Sequence, residues 1–342
     1  MAIAFFLLLS LMLFSSNNLL VKEDLTGDET QLDLHLLQMK NAYATTTSNT
    51  NTTDFNFVAV GDWDCNSETE DTVDNIIDQD PELVLALGDL SYNNSTECWL
   101  EIIKPISDKT KIALGNHDAE SSKKLEDYME FFELEKQYYS FNYGNVHFLA
   151  LSTEVPYDDN SQQYEFAIND LEKYSNDSSI DWIIVFFHRH SYSSSSYLEY
   201  EEVFRDTYHP LFDKYKVDLA LQGHIHAYER TYPINFNSDD ENQPIIKDTN
   251  PNLYENPTGT IFITAGTGGA FEIKLANNKD FSAAGIDSEF GILNINVEND
   301  NGGSNNNNNN IRLLTGTFIQ NKEDEEYNIL DVFKVTKTGK KD

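Results

Sequence analysis

Positive charge is scarce in this chain. It carries 23 Lys and Arg against 58 Asp and Glu in 342 residues, a formal net charge of −35. Such a surface repels the phosphate backbone of nucleic acids, which argues against a duplex as partner. A small phosphorylated molecule meets the same long-range repulsion. Any phosphate site must therefore hold positive charge of its own, and bound metal ions supply that locally. The same acidity would also serve as a solubility device in a salty environment. Cysteine is scarcer still: Cys65 and Cys98 are the only two. In an exported chain they either form one disulfide or remain two buried thiols. Internal repeats are absent. What the chain does have is apolar material, 39% hydrophobic and 12% aromatic residues. That is enough for a packed core in one large domain or two small ones.

The first residues read MAIAFFLLLSLMLFSSNNLL, with a continuous apolar run from Ala2 to Phe14 broken only by Ser10. This suits the h-region of a secretory signal better than a membrane span, which needs about 20 residues. A basic n-region and a clean small-residue cleavage site are both missing. Residues 1–21 are thus expected to be a signal peptide or a membrane anchor, and the protein to be secreted or held at the cell surface. Residues 22–54 end in NAYATTTSNTNTTD and are expected to form a polar linker. Asn51, Asn93, Asn94 and Asn176 head N-x-S/T sequons, which fits an exterior location. The globular domain is expected over 55–338, followed by a short tail at 339–342.

Within that domain apolar runs alternate with amphipathic stretches. Phe57–Val60, Leu83–Leu87, Lys111–Leu114, Val146–Leu151, Trp182–Phe187 and Val217–Leu221 read as short buried strands. Thr69–Asp78, Lys123–Glu133 and Gln162–Tyr174 read as helices between them. The alternation predicts a layered α/β domain. After Thr258 the pattern turns to strands only: TGTIFITAG, FGILNINVEN, IRLLTGTFIQ and NILDVFKVTK are expected to form one antiparallel set. The Asn-rich run Gly302–Asn310 reads as filler in an expanded hairpin loop.

Polar clusters follow the strands directly. GDWD carries Asp62, GDLSY carries Asp89 and Tyr92, and GNHD carries Asn116 and His117. VFFH carries His188, HRHS adds His190, and GHIH carries His224 and His226. Ligands of α/β folds gather at the carboxyl ends of strands, so these clusters can face one crevice. Singly, most of them are ordinary turns. GHIH stands out, because two histidines at i and i+2 after an apolar strand are poor packing residues. Together they offer oxygen and imidazole donors without thiolate, a mixture suited to Fe, Mn or Zn rather than to a cysteine-based structural zinc. Two cations about 3.5–4 Å apart need an anionic bridge, and Asp89 is the natural candidate.

The order GD…GDxxY…GNHD…VxxH…GHxH resembles the calcineurin-like metallophosphoesterases. The Tyr of the second cluster, YKVDLALQGHIHAYERTYP and GTIFITAGTGG narrow the resemblance to the purple acid phosphatases. It spans roughly Phe55 to Lys337 and implies a four-layer αββα sandwich of two mixed sheets. The stretch before Phe55 is too short for an additional β domain, so the compact type is the one resembled. The resemblance implies a first ion, typically Fe(III), on Asp62, Asp89, Tyr92 and His226. It implies a second, divalent Fe, Zn or Mn, on Asp89, Asn116, His188 and His224. The chemistry agrees, since a phenol with a pKa of about 10 needs a strong Lewis acid to ionise.

His117 would contact the phosphate or assist the leaving group, with an orienting role for a carboxylate as the plainer reading. His190 stands where relatives often carry Pro, and reads as an added substrate contact or as merely exposed. Asp64 departs from the usual Gly and could add a carboxylate near the first ion. The run Tyr192–Tyr197 reads as solvated loop, and Glu229 and Arg230 as structural support. The implied activity is hydrolysis of phosphomonoesters by direct attack of a metal-bound hydroxide. Its rivals are a phosphodiesterase or nucleotide-cleaving enzyme, and a non-catalytic surface binding protein.

Overall fold

The computed structural model describes residues 54–195, 202–276, 279–300, 311–322 and 326–338. The apolar leader, all of the linker but Asp54, the Asn-rich run 302–310 and the tail 339–342 lie outside the described residues.

Two seven-stranded sheets carry the fold. The first runs, in spatial order, β11 (Leu253–Glu255), β16 (Ile329–Thr338), β15 (Ile311–Gln320), β14 (Gly291–Asp300), β1 (Phe55–Val60), β2 (Leu83–Leu87) and β3 (Thr110–Ala113). The second runs β13 (Ser282–Ile286), β8 (Tyr228–Thr231), β12 (Ile261–Ala265), β7 (Leu219–Gln222), β6 (Trp182–Phe186), β5 (Val146–Ala150) and β4 (Tyr139–Tyr143). A short ribbon pairs β9 (Ile234–Asn235) with β10 (Ile245–Ile246). Both large sheets are mixed. β1, β2 and β3 are mutually parallel while β14 runs antiparallel to β1. β5, β6, β7 and β12 are parallel, and β4 and β8 antiparallel to their neighbours.

The wholly apolar strands follow from burial on both faces. In β1, Phe57 and Ala59 point into the core between the sheets, and Val58 and Val60 point to the outer face. The inner core joins Phe57 and Leu85 of the first sheet to Phe148, Ile184 and Leu221 of the second. Phe57 and Phe148 meet edge to face with centroids 5.2 Å apart. Helices α1 (Ser67–Gln79), α2 (Glu97–Ile102) and α3 (Ser122–Phe131) supply Val73, Ile76, Trp99 and Tyr128 to the cluster on the outer face of the first sheet. Helices α4 (Gln162–Ser175) and α5 (Glu202–Tyr215) supply Ala167, Leu171, Phe204, Tyr208 and Phe212 to the cluster on the second. The result is the expected αββα sandwich. Helix starts are set by side-chain caps: Asn66 accepts from the Thr69 amide, Ser121 from Lys124 and Ser161 from Tyr164.

One expectation is corrected. TGTIFITAG does not join the late antiparallel set. β12 lies in the second sheet, parallel to β7, and only β14, β15 and β16 form the antiparallel run. β12 follows a crossover, and a strand that returns from a crossover pairs in parallel.

Cys65 and Cys98 form a disulfide that ties the loop after β1 to α2 across a separation of 33 residues. The loop and the helix that it joins follow β1 and β2, strands whose ends carry Asp62 and Asp89. Closing a loop of that size is worth about 3–4 kcal/mol through the unfolded chain. The double variant Cys65→Ser/Cys98→Ser is expected to lose that much in urea unfolding. An unchanged midpoint and slope would count against a stabilising bond.

Candidate metal centre

The clusters sit just past the carboxyl ends of parallel strands. Asp62 follows β1, Asp89 and Tyr92 follow β2, and Asn116 and His117 follow β3. From the other sheet, His188 follows β6, while His224 and His226 follow β7. Their donor atoms converge. Tyr92 Oη lies 3.3 Å from Asp62 Oδ1, 3.2 Å from Asp89 Oδ2 and 2.8 Å from His226 Nε2. On the other side of Asp89, His188 Nε2 lies 3.3 Å from Asp89 Oδ2 and 3.2 Å from His224 Nδ1. Asp89 Oδ2 is thus common to two groups of donors.

Several observations test whether these residues fit metal ions. Donors held about 2.1 Å from one ion are about 3.0–3.4 Å from each other, which is the spacing of every pair above except Tyr92 Oη and His226 Nε2, at 2.8 Å. Asn116 Oδ1 is buried with no hydrogen-bond partner among the described residues, a costly arrangement unless something else meets it. Asp62, Asp89 and His224 all occupy left-handed backbone, with φ of 60°, 49° and 71°. Such conformations cost about 1–3 kcal/mol each and persist where function fixes them. Close approach is built in: a Cβ on Gly115 would fall 2.2 Å from Asp89 Oδ1, and one on Gly266 would fall 2.6 Å from Asp62 Oδ2.

The orientations of these side chains are set from behind. His188 Nδ1 donates to the Leu87 carbonyl at 2.9 Å, and His226 Nδ1 donates to the Phe271 carbonyl. In each ring Nε2 faces the cluster. The His224 amide donates to Asp62 Oδ2 at 2.8 Å, and the His117 amide to Asp89 Oδ1 at 2.9 Å. Asp118 accepts from the Leu90 and Gly115 amides at 2.9 and 2.8 Å, locking the second and third loops together.

The field of the site favours cations. Burial opposes charge on His188, yet the carboxylates of Asp89 and Asp62 outweigh it and push the imidazole up to about 10. Burial, then His188 and His190, hold His224 down to about 2. Burial, then the nearby Asp62 and Asp89, raises the Tyr92 phenol well above its ordinary value. Without a strong Lewis acid that phenol stays protonated.

His117 stands at the mouth, its side chain 34% exposed, with Nδ1 2.7 Å from Glu120 Oε1 and Nε2 3.9 Å from Asp89 Oδ2. Glu120 was not singled out in the sequence, although its i+3 offset from His117 was the available signal. The Leu87 and Phe271 carbonyls were also missed, since backbone partners leave no trace in composition.

Three readings change. His190 is fully buried, its ring 5.5 Å from that of His224 and nearly parallel to it. It packs against His224 and has no surface to offer a substrate. Tyr192 to Ser195 are buried rather than solvated, because Glu229 accepts from both the amide and the hydroxyl of Ser194, and Gln222 accepts from the Ser191 amide. Ser196 and Tyr197 lie outside the described residues. Asp64 turns to its own loop, where Oδ1 accepts from the Cys65 amide at 2.8 Å.

The calcineurin-like phosphoesterase family model matches residues 33–228. The chain belongs to the calcineurin-like phosphoesterases. Among curated members it is similar to Purple acid phosphatase 23 of Arabidopsis thaliana, 29% identical over 256 residues that cover 62% of this chain and 52% of that one. The chain spans about half the length of the curated relatives it matches. Among solved structures, purple acid phosphatase PPD1 from yellow lupin seeds (Lupinus luteus) superposes with a TM-score of 0.70 at 24% identity, over 84% of this chain and 54% of that one. GAP50, described as the anchor in the inner membrane complex of Plasmodium, superposes with a TM-score of 0.54 at 16% identity, over 82% and 89%. At these identities the two structures speak for the phosphoesterase fold alone.

Proposed function

We propose that this calcineurin-like phosphoesterase is an exported, dinuclear-metal phosphomonoesterase of the acid phosphatase kind. The observation that carries the reading is the sharing of Asp89 Oδ2 between Tyr92 Oη at 3.2 Å and His188 Nε2 at 3.3 Å, one carboxylate between two donor groups. Asp62, Asp89, Tyr92 and His226 would hold one ion, with Fe(III) matched to the phenolate donor. Asp89, Asn116, His188 and His224 would hold a divalent Fe, Zn or Mn. When bound, the ions supply an activated water and offset charge growing on the phosphoryl oxygens. His117, fixed by Glu120 with Nε2 toward the cluster, donates to a phosphoryl oxygen or to the leaving alkoxide. Attack is direct and in line, so no protein nucleophile takes part and no phosphoenzyme forms. A small phosphate ester is the substrate.

Export is supported by the apolar leader, by the disulfide, and by sequon residues Asn93, Asn94 and Asn176, which are all exposed. No helix among the described residues is long and apolar enough to cross a membrane. A purely structural role at a surface has a fold neighbour in the Plasmodium anchor protein. It leaves the orphaned Asn116 Oδ1 and the three left-handed site residues without a reason.

Elemental analysis with a visible spectrum and paired assays tests the proposal. Two ions per chain are expected, with an absorption band that Tyr92→Phe abolishes. p-Nitrophenyl phosphate is expected to be turned over faster than bis(p-nitrophenyl) phosphate. Preference for the diester would favour a phosphodiesterase, and a metal-replete protein inert toward both esters would end the catalytic reading. Rapid-quench labelling is expected to trap no covalent intermediate.

A further inference from the structure

Phe271 is the most exposed of the large hydrophobic residues among those described, at 63%. Single exposed apolar side chains are ordinary on protein surfaces. This one is distinguished by what holds it. The Ala270 amide donates to the Asp62 carbonyl at 2.9 Å, and the Ile273 amide donates to the His226 carbonyl at 3.0 Å. Between them the Phe271 carbonyl accepts from His226 Nδ1. Three hydrogen bonds thus fasten residues 270–273 to two of the proposed metal ligands. The backbone that presents the ring is fixed before any ligand arrives, which lowers the ordering cost of a contact. The ring centroid lies 4.7 Å from that of His226, at 68°. His226 is followed by Tyr92 at 5.7 Å, and Tyr92 by His117 at 4.5 Å. The mouth of the centre therefore has an unbroken aromatic rim, with a polar end at His117 and an apolar end at Phe271.

We propose that Phe271 is a specificity-determining residue of this centre, its exposed face receiving a flat apolar leaving group. The inference rests on the phosphoesterase reading above. In that reading charge fixes the phosphoryl end at the cluster. Asp62 and His188 have no exposed surface, so the substituent on the leaving oxygen cannot run inward and must lie along the rim. There the strongly acidic chain repels anionic groups, while an aromatic face attracts planar apolar ones regardless of charge. Esters of aryl or similarly flat alcohols are thereby favoured over esters of small polar alcohols.

The test compares full-length wild type, Phe271→Ala and Phe271→Trp, all metal-loaded. One arm measures kcat/KM for 2-naphthyl phosphate and for glycerol phosphate, and the ratio between variants cancels leaving-group reactivity. The other measures binding of phenylphosphonate and methylphosphonate by calorimetry, which involves no turnover. Phe271→Ala is expected to lower the aryl-to-alkyl ratio by about five- to tenfold in both arms, the size of one aromatic contact. Phe271→Trp is expected to keep or raise it. An active wild type whose ratio stays put in Phe271→Ala, or whose two substrates fall together, overturns the inference alone. A loaded wild type that turns over neither ester overturns the phosphoesterase reading and this one with it.

Discussion

Replacing Asp89 with alanine is expected to remove both metal ions and to lower kcat/KM by on the order of 10³-fold or more. A trivalent and a divalent cation about 3.5–4 Å apart would repel by roughly 25–28 kcal/mol even at an effective dielectric of 20. Only a shared anion makes that spacing tolerable. Asp89 is the carboxylate whose Oδ2 meets both donor groups, and it is buried to 1% exposure. Its loss should therefore cost both sites together rather than one. The variant also strips His188 of its closest carboxylate and the His117 amide of its acceptor, so some local loosening is expected. Asp89→Asn keeps the shape and one oxygen while removing the charge. It separates the two effects: a normal circular dichroism spectrum with metal content well below two ions is the expected result. Two-ion occupancy with activity retained in Asp89→Asn would remove the bridging role from this residue.

How much of this was legible in the sequence depended on whether the signal was local. β2 matches its apolar run at both ends, because a buried parallel strand leaves no choice of face. The ligand clusters were legible for a related reason. Gly-Asp or Gly-His directly after such a run has nothing to pack against and must face the strand-end crevice. By contrast β4, YSFNY, mixes exposed Asn142 and Tyr143 with half-buried neighbours, as an edge strand does, and gave no clear run. Helix α5 was missed although Phe204, Tyr208, Leu211, Phe212 and Tyr215 fall on one helical face, because Pro210 interrupts the pattern. The sheet assignment of β12 and the burial of Tyr192–Ser195 depend on partners far away in the chain. Glu229 and Gln222 satisfy that segment from more than 30 residues away, and composition alone reads it as solvated. The position of Phe271 is also non-local, being set by a bond from its backbone carbonyl to His226, 45 positions earlier.

Arg230 and Asp331 are expected to be the costliest pair to break for stability. The guanidinium donates to Asp331 through Nε at 2.7 Å and one terminal nitrogen at 2.9 Å, a fork geometry. The pair links β8 of the second sheet to β16 of the first through the core, and Arg230 is 1% exposed. Its other bonds reach Tyr254 Oη at 2.7 Å and the Pro251 carbonyl at 3.1 Å, while the Tyr228 hydroxyl donates to Asp331 at 2.7 Å. Arg230→Ala or Asp331→Ala leaves one buried charge without its partner, and each is expected to lose about 3–5 kcal/mol in denaturant unfolding. Replacing both with apolar residues, as in Arg230→Met/Asp331→Leu, removes both charges and should recover part of that loss. Recovery should be incomplete, because Tyr228 and Tyr254 keep buried hydroxyls with fewer partners, at about 1–3 kcal/mol each. β8 begins two residues after His226, so the single variants are also expected to hold metal more weakly. The decisive comparison is between single and double variants. If the double variant is no more stable than either single one, uncompensated charge is not what the singles suffer from, and the pair would have to act chiefly through packing against Phe333, whose ring centroid lies 4.7 Å from the guanidinium.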